Sequence, residues 1–261
     1  MSIEFYLNIL LWIVDSGLII GIMITYLFFN AHYNKWLVPR INTYNDVIDS
    51  KTLNSLIEEF RLMFNLKDYE IIFSDDLKPH KLFWNLKKRQ KQIIISKRIF
   101  ESVGYELDYI ISRIWISAKE INKDNKIKNY KFVTKYITNT LLLLIVLFYL
   151  LQSLIFFYCI SKNIDTIAQN SFIFFLWKNF IVAILVIIFT SMFIINYLVA
   201  YRLKEKIELY YNYEISNLVK IVFEQFEYDF RAARTYAQQI KIPIIFIFNQ
   251  KHNKWLGPFV Y

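Results

Sequence analysis

Paired carboxylates are the first candidates for chemistry in this sequence. Glu120 and Asp124 stand four residues apart and Asp75-Asp76 are adjacent, so either pair could offer oxygens to a hard cation. Two carboxylates alone hold a metal poorly, and such residues ordinarily form a charged helix surface or a solvated loop. A single cysteine, Cys159, excludes an intrachain disulfide framework and a multi-cysteine zinc site. It lies in an uncharged run with no histidine beside it, so it reads as a small apolar residue and not a nucleophile. Asp15 differs from these, because it stands in an apolar stretch where a carboxylate is costly and must face another helix, a partner or water. A proton relay is its functional alternative. Gly17 and Gly21 follow at small-xxx-small spacing, which points first to packing within the chain and second to homodimerisation.

These residues belong to a chain of 261 residues that is 56% hydrophobic and 19% aromatic, with four glycines and four prolines, which excludes a disordered or collagen-like protein. Residues 137–161 and 179–201 carry no charged side chain, and residues 1–34 carry only Glu4 and Asp15. At 1.5 Å per residue, stretches of this length cross a hydrocarbon core of about 30 Å. Transmembrane helices are therefore expected over 5–29, 137–160 and 179–201. The first has no basic segment before it and no early small-residue cleavage site, so it reads as a retained anchor.

The net charge of +9 divides into −2 over residues 1–30, +7 over 31–136, +1 over 137–201 and +3 over 202–261. Basic segments flanking apolar spans are what the positive-inside rule predicts for cytoplasmic parts. The expected topology has the amino terminus and the 161–178 loop outside the cytoplasmic (inner) membrane, with 31–136 and 202–261 in the cytoplasm. The lipid bilayer accounts for the charge. No nucleic-acid partner is expected, since helix-turn-helix and zinc-finger patterns are absent and the basic run at residues 87–91 reads as a solvated turn.

Within 50–136, the helical spacing of Leu53, Leu56, Ile57, Phe60 and Phe64 predicts an amphipathic helix over 51–65. Runs at 69–73, 81–86 and 92–96 predict three short strands in a small antiparallel sheet. Helical patterning returns from Tyr105 to about Lys135, leading into the second span. After the third span one helix is expected through Arg202 to Ile240, because no glycine or proline interrupts it before Pro243. The last twenty residues carry no pattern.

The order of elements over roughly residues 50–240 resembles the HtpX-type integral-membrane zinc metalloproteases and the related CAAX-prenyl endopeptidases. The run from Gln92 to Ile111 looks like the strand and helix entry that precede that family's His-Glu-x-x-His. Asn122-Lys123-Asp124 looks like the segment that follows it. Aligned in this way, Trp115-Ile116-Ser117-Ala118-Lys119 stands where the family has its motif. Two histidines one turn apart would present imidazoles to one zinc ion, and the glutamate between them would activate water. Trp115 cannot ligate zinc, Ile116 cannot take a proton, and Lys119 brings a cation. His32, His80 and His252 lie elsewhere. Downstream, residues 201–212 resemble the family's basic helix with its ExxxD, placing Glu208 at the ligand glutamate and Asn212 at the aspartate.

The resemblance implies an α+β membrane protein with three transmembrane helices and a gluzincin-like (metalloprotease-like) cytosolic domain built from 50–136 and 202–261. Its zinc site is degenerate at Trp115, Ile116, Lys119, Glu208 and Asn212, and no cofactor is expected. A Lys119–Glu208 ion pair is expected in place of the metal, with a geometric rather than a large energetic role. The sheet edge at Leu82, Phe83 and Trp84 is a candidate for taking an extended peptide, and Asp15, Gly17 and Gly21 are candidates for intramembrane contact. The expected function is that of a pseudoprotease binding a polypeptide or membrane-protein partner in a homo- or hetero-oligomer. Two alternatives stand beside it: an active metallopeptidase with unusual or borrowed ligands, and an accessory subunit of a transport or secretion complex.

Overall fold

The computed structural model describes residues 3–35, 50–76, 81–97, 102–161, 171–222, 224–244 and 256–261. His80, His252 and Asp165 of the expected external loop lie outside the described residues. The chain forms two compact units: an apolar helical unit from Met1–Ala31 and Lys135–Leu198, and a mixed unit from His32–Thr134 and Val199–Tyr261.

The helical unit contains α1 (Ile3–Lys35), α5 (Thr138–Ser161), the short α6 (Phe172–Lys178) and the first part of α7 (Ile181–Val222). Three helical stretches, Ile3–Phe29, Asn125–Ser161 and Ile181–Lys220, are long and apolar enough to cross a membrane. Side chains such as Leu10, Ile13, Leu143, Leu154 and Ile195 are exposed on them, as a lipid-facing surface requires. Polar groups instead turn inward and pair. Asp15 is buried and accepts a hydrogen bond from Gln152 at 2.8 Å, so it faces α5. The Trp12 ring stacks on Phe156 at 5.1 Å while its indole N–H donates to Ser153 at 3.1 Å. Asn196 donates to Thr138 at 2.9 Å. The 161–178 stretch is helical in its second half, where Ser171 caps α6.

In the mixed unit α2 (Ser50–Met63) buries Leu56, Ile57 and Phe60, as its periodicity predicts. The sheet is mixed and not antiparallel. β1 (Glu70–Ser74) pairs in parallel with the central β3 (Gln92–Ser96), with Glu70 opposite Gln92 and Ser74 opposite Ser96. β2 (Leu86–Lys87) pairs antiparallel with β3 over two residues only. The expected strand over 81–86 fails because Phe83 adopts a left-handed φ of 65°, which breaks the extended run. The basic run does turn, through a 3₁₀ segment at Lys88–Gln90 closed by left-handed Lys91. The connection between β1 and β2 is long enough to carry the chain past β3, which permits the parallel pairing.

α3 (Val103–Ile121) begins at Ser102, whose hydroxyl accepts from the Gly104 amide at 3.2 Å, and is buried along almost its whole length. The helix expected to continue to Lys135 is interrupted. Lys123 takes a left-handed φ of 56°, and Asp124 caps a new helix, α4 (Asn125–Lys131), by accepting from the amides of Lys126 and Ile127. A π-helical turn at Phe132–Ile137 then leads into α5. Likewise, α7 does not run to Ile240. It ends at Val222, and after a 3₁₀ turn at Glu224–Phe226 the chain enters α8 (Glu227–Gln239). α8 buries Phe230, Ala233 and Ala237 and packs on α3, a placement that a single straight helix would prevent.

Gly104 makes that packing possible: a Cβ there would collide with the carbonyl oxygen of Asp229 on α8. Gly17 has open space, with nothing within 4 Å of such an atom among the described residues. Gly104→Ala should therefore cost about 1–3 kcal/mol through overpacking, against an intrinsic helix preference that favours alanine by about 0.8–1 kcal/mol. Gly17→Ala should be neutral or stabilising. Thermal unfolding in detergent separates the two, and a Tm that rises for Gly104→Ala would show that α8 does not seat on α3.

Candidate functional site

Two linked charge clusters occupy the region where α3, α7 and α8 meet. The first is built by Trp115 and Lys119, one turn apart on α3. The Trp115 indole N–H donates to Glu214 Oε2 at 2.7 Å, and Lys119 Nζ donates to Glu214 Oε1 at 2.7 Å and to the Tyr210 hydroxyl at 2.7 Å. Tyr210 donates in turn to Asp124 at 3.2 Å. The Lys119 ammonium also lies 4.6 Å from the Tyr210 ring centroid. Burial opposes the Lys119 charge, but the bonds to Glu214 and Tyr210 outweigh it and hold its pKa above the ordinary lysine value. Burial likewise acts to raise the Glu214 pKa, and the Lys119 and Trp115 hydrogen bonds reverse that, holding the carboxyl below its ordinary value.

The second cluster is deeper and centres on Arg234 of α8. Its guanidinium donates to both carboxylate oxygens of Asp108 at 3.1 and 3.2 Å, to the Asn212 side-chain oxygen at 2.7 Å, and to Glu208 Oε2. Tyr211 donates to Asp108 at 3.3 Å, and the guanidinium carbon stands 4.8 Å from the Tyr211 ring centroid. Although burial disfavours the charge, Asp108 and Glu208 raise the guanidinium pKa above its ordinary value. Segment 256–261 closes the site: Phe259 is buried at 5.8 Å from Trp115 and 5.2 Å from Tyr211, ring to ring. Its carbonyl accepts from Tyr130 at 2.5 Å, and the neighbouring Pro258 carbonyl accepts from Arg113 at 2.8 Å. The patternless terminal stretch therefore supplies part of the core.

The structure brings Glu208 and Asn212 together, and Trp115 with Lys119, but the expected Lys119–Glu208 ion pair does not form. Lys119 pairs with Glu214 and Glu208 with Arg234. The cause is register along α3. Asp108 precedes Trp115 by seven residues, about two turns on the same face, and it is Asp108 that comes to the level of Glu208. Ile116 is buried as an ordinary core residue. Sequence reading missed Asp108 and Arg234, whose only signal is a charge on the otherwise apolar face of each helix.

The donors here do not fit zinc. Asp108, Glu208 and Asn212 supply oxygens only, and a guanidinium fills the space between them. Among the described residues no three His, Cys, Asp or Glu side chains gather as a metal site. Glu120 is engaged by Lys131 at 2.8 Å, Asp124 caps α4, and Asp75 lies at the surface 3.5 Å from Lys97. Cys159 is buried in the helical unit.

The sheet-edge expectation also changes. Leu82 and Phe83 are buried, with the Phe83 ring 6.0 Å from Tyr130 and 6.4 Å from Tyr261, and only Trp84 remains exposed in a turn. No protein-family model matches the chain, and neither a curated protein nor a solved structure shows significant similarity to it.

A double-mutant cycle on unfolding free energies checks the pairing. Lys119→Met and Glu214→Gln should couple by about 1 kcal/mol, and Lys119→Met with Glu208→Gln by less than about 0.5 kcal/mol. Arg234→Met should cost about 3–5 kcal/mol, because it leaves buried carboxylates without their cation. The depressed Glu214 pKa sets a sign with pH. Its contribution is complete above the ordinary value of 4.5 and is lost as pH falls through the lower folded value. Acid titration of stability should show that loss in the native chain and not in Glu214→Gln.

Proposed function

We propose that this chain is a catalytically inactive, metalloprotease-like membrane protein that works by binding a polypeptide or membrane-protein partner, an active relative among them. The observation that carries the reading is Arg234, bonded to Asp108, Asn212 and Glu208 where the resemblance would put a metal ligand. A guanidinium held by three side chains presents neither an open coordination position nor an activated water. Trp115 and Lys119, at the histidine positions of the resemblance, are both spent on Glu214. The same reading sets the protein in the cytoplasmic (inner) membrane with its amino terminus outside and the mixed unit in the cytoplasm, on the strength of the basic segments that flank the spans.

A second reading, an accessory subunit of a transport or secretion complex, is favoured by α1. A Cβ added at Gly17 or Gly21 would meet nothing within 4 Å among the described residues, so this face makes no close packing there, contrary to the packing within the chain that its spacing first suggests.

Metal analysis and a proteolysis assay on protein purified with zinc supplied test the first reading. The expected result is no stoichiometric metal and no cleavage; about one zinc per chain, with activity lost to a chelator, would establish an active metallopeptidase instead. For the second reading, native electrophoresis in mild detergent should show Gly21→Leu releasing a smaller assembly. An assembly of unchanged size removes α1 as the contact.

A further inference from the structure

A second site lies on the mixed unit beside the Arg234 cluster. A cavity of about 370 Å³ is walled by the α7 residues Tyr201, Lys204, Glu208 and Leu209 and by Ile240 beyond the end of α8. That volume is in the range of small-ligand sites. At its edge Glu205 and Lys241 stand 3.8 Å apart, and the Tyr201 hydroxyl donates to Glu205 at 2.5 Å.

Two of the wall residues are charged, more than nine-tenths buried and incompletely paired. Lys204 has three N–H donors and, among the described residues, one hydrogen-bond acceptor, the Ile240 carbonyl at 2.5 Å. Glu208 gives Oε2 to Arg234, while its Oε1 has no hydrogen-bond partner among the described residues. They stand at i and i+4 on α7, so their side chains are neighbours on one face. A buried ammonium short of acceptors, next to a buried carboxylate short of a donor, is complementary to a ligand that carries an anion and an N–H cation a few ångströms apart.

Depth along α7 narrows the source of that ligand. Residues 179–201 are uncharged, and Lys204 follows Tyr201 by three residues, about 4.5 Å of helix rise. A tyrosine at the end of an apolar span marks the headgroup level. We propose that the cavity binds the headgroup of a phosphatidylethanolamine, its phosphate accepting from Lys204 and its primary ammonium donating to Glu208. A choline headgroup is excluded by the same geometry, because three methyl groups replace the N–H donors that Glu208 Oε1 requires. The inference rests on α7 crossing the bilayer and is independent of the pseudoprotease reading.

The test uses the full chain, delipidated in detergent and titrated separately with short-chain phosphatidylethanolamine, phosphatidylcholine and phosphatidylglycerol, and with soluble phosphoethanolamine and inorganic phosphate. Thermal shift and native mass spectrometry are the readouts. Phosphatidylethanolamine should raise Tm by several degrees and remain at one per chain, with at least tenfold weaker binding of the choline and glycerol lipids. Lys204→Met should remove the preference while raising the Tm of the lipid-free protein, since it deletes a poorly compensated buried charge. That second readout separates loss of the site from loss of the fold. Equal binding of the choline lipid, an unchanged ethanolamine preference in Lys204→Met, or a matching shift with inorganic phosphate alone would overturn the proposal. Soluble phosphoethanolamine binding as tightly as the lipid would overturn the membrane source.

Discussion

A single guanidinium ties the mixed unit together. Arg234 reaches from α8 to Asp108 on α3 and to Glu208 and Asn212 on α7, so the relative placement of three helices depends on one side chain finding all its acceptors. Removing such charges from water costs several kcal/mol per ion, and their mutual attraction offsets that only when the geometry is nearly complete. Specificity is what the arrangement supplies. An apolar interface would let α8 slide along α3 at little cost, whereas a displaced α8 strands two carboxylates. The close approach at Gly104 and the aromatic cover from Tyr211 and Phe259 fix the same placement by shape.

Polar side chains act in the same sense in the helical unit, on a smaller scale. With apolar side chains alone, the helices have little reason to prefer one another over lipid. Asp15 with Gln152, Trp12 with Ser153 and Asn196 with Thr138 supply direction, each joining two helices through one hydrogen bond. These pairs select a rotation for each helix, which length and hydropathy leave open.

The readable features of the sequence are those imposed by a strong local constraint. The three long apolar helices could be placed because bilayer thickness demands uninterrupted apolar windows, and α2 because its apolar stripe repeats at helical spacing. β3 falls on Gln92–Ser96 as its β-type run predicts. Features decided by distant partners were not legible. Whether β1 runs parallel or antiparallel to β3 depends on where the intervening chain travels, and Phe83 breaks its strand because its ring is drawn under Tyr130 and Tyr261. Lys123 and the turn at Glu224–Phe226 interrupt patterns with no glycine or proline to mark them. Asp108 and Arg234 are, in sequence, stray charges on apolar faces; only their juxtaposition gives either one a role.

The identity of the central cation is the physical basis for reading this site as a scaffold. A divalent ion and a guanidinium can balance the same carboxylates, but they leave different surroundings. The ion keeps positions free for water or substrate and lowers the pKa of what binds there. The guanidinium directs its five N–H donors in one plane, and four hydrogen bonds to Asp108, Asn212 and Glu208 Oε2 engage all three of its nitrogens. Glu208 Oε1, which has no hydrogen-bond partner among the described residues, belongs to a residue that lines the cavity beside Lys204. Arg234 thus engages one oxygen of Glu208 and not the other. A buried carboxylate can in this way brace helices through one oxygen, while the other is what the proposed headgroup site calls on.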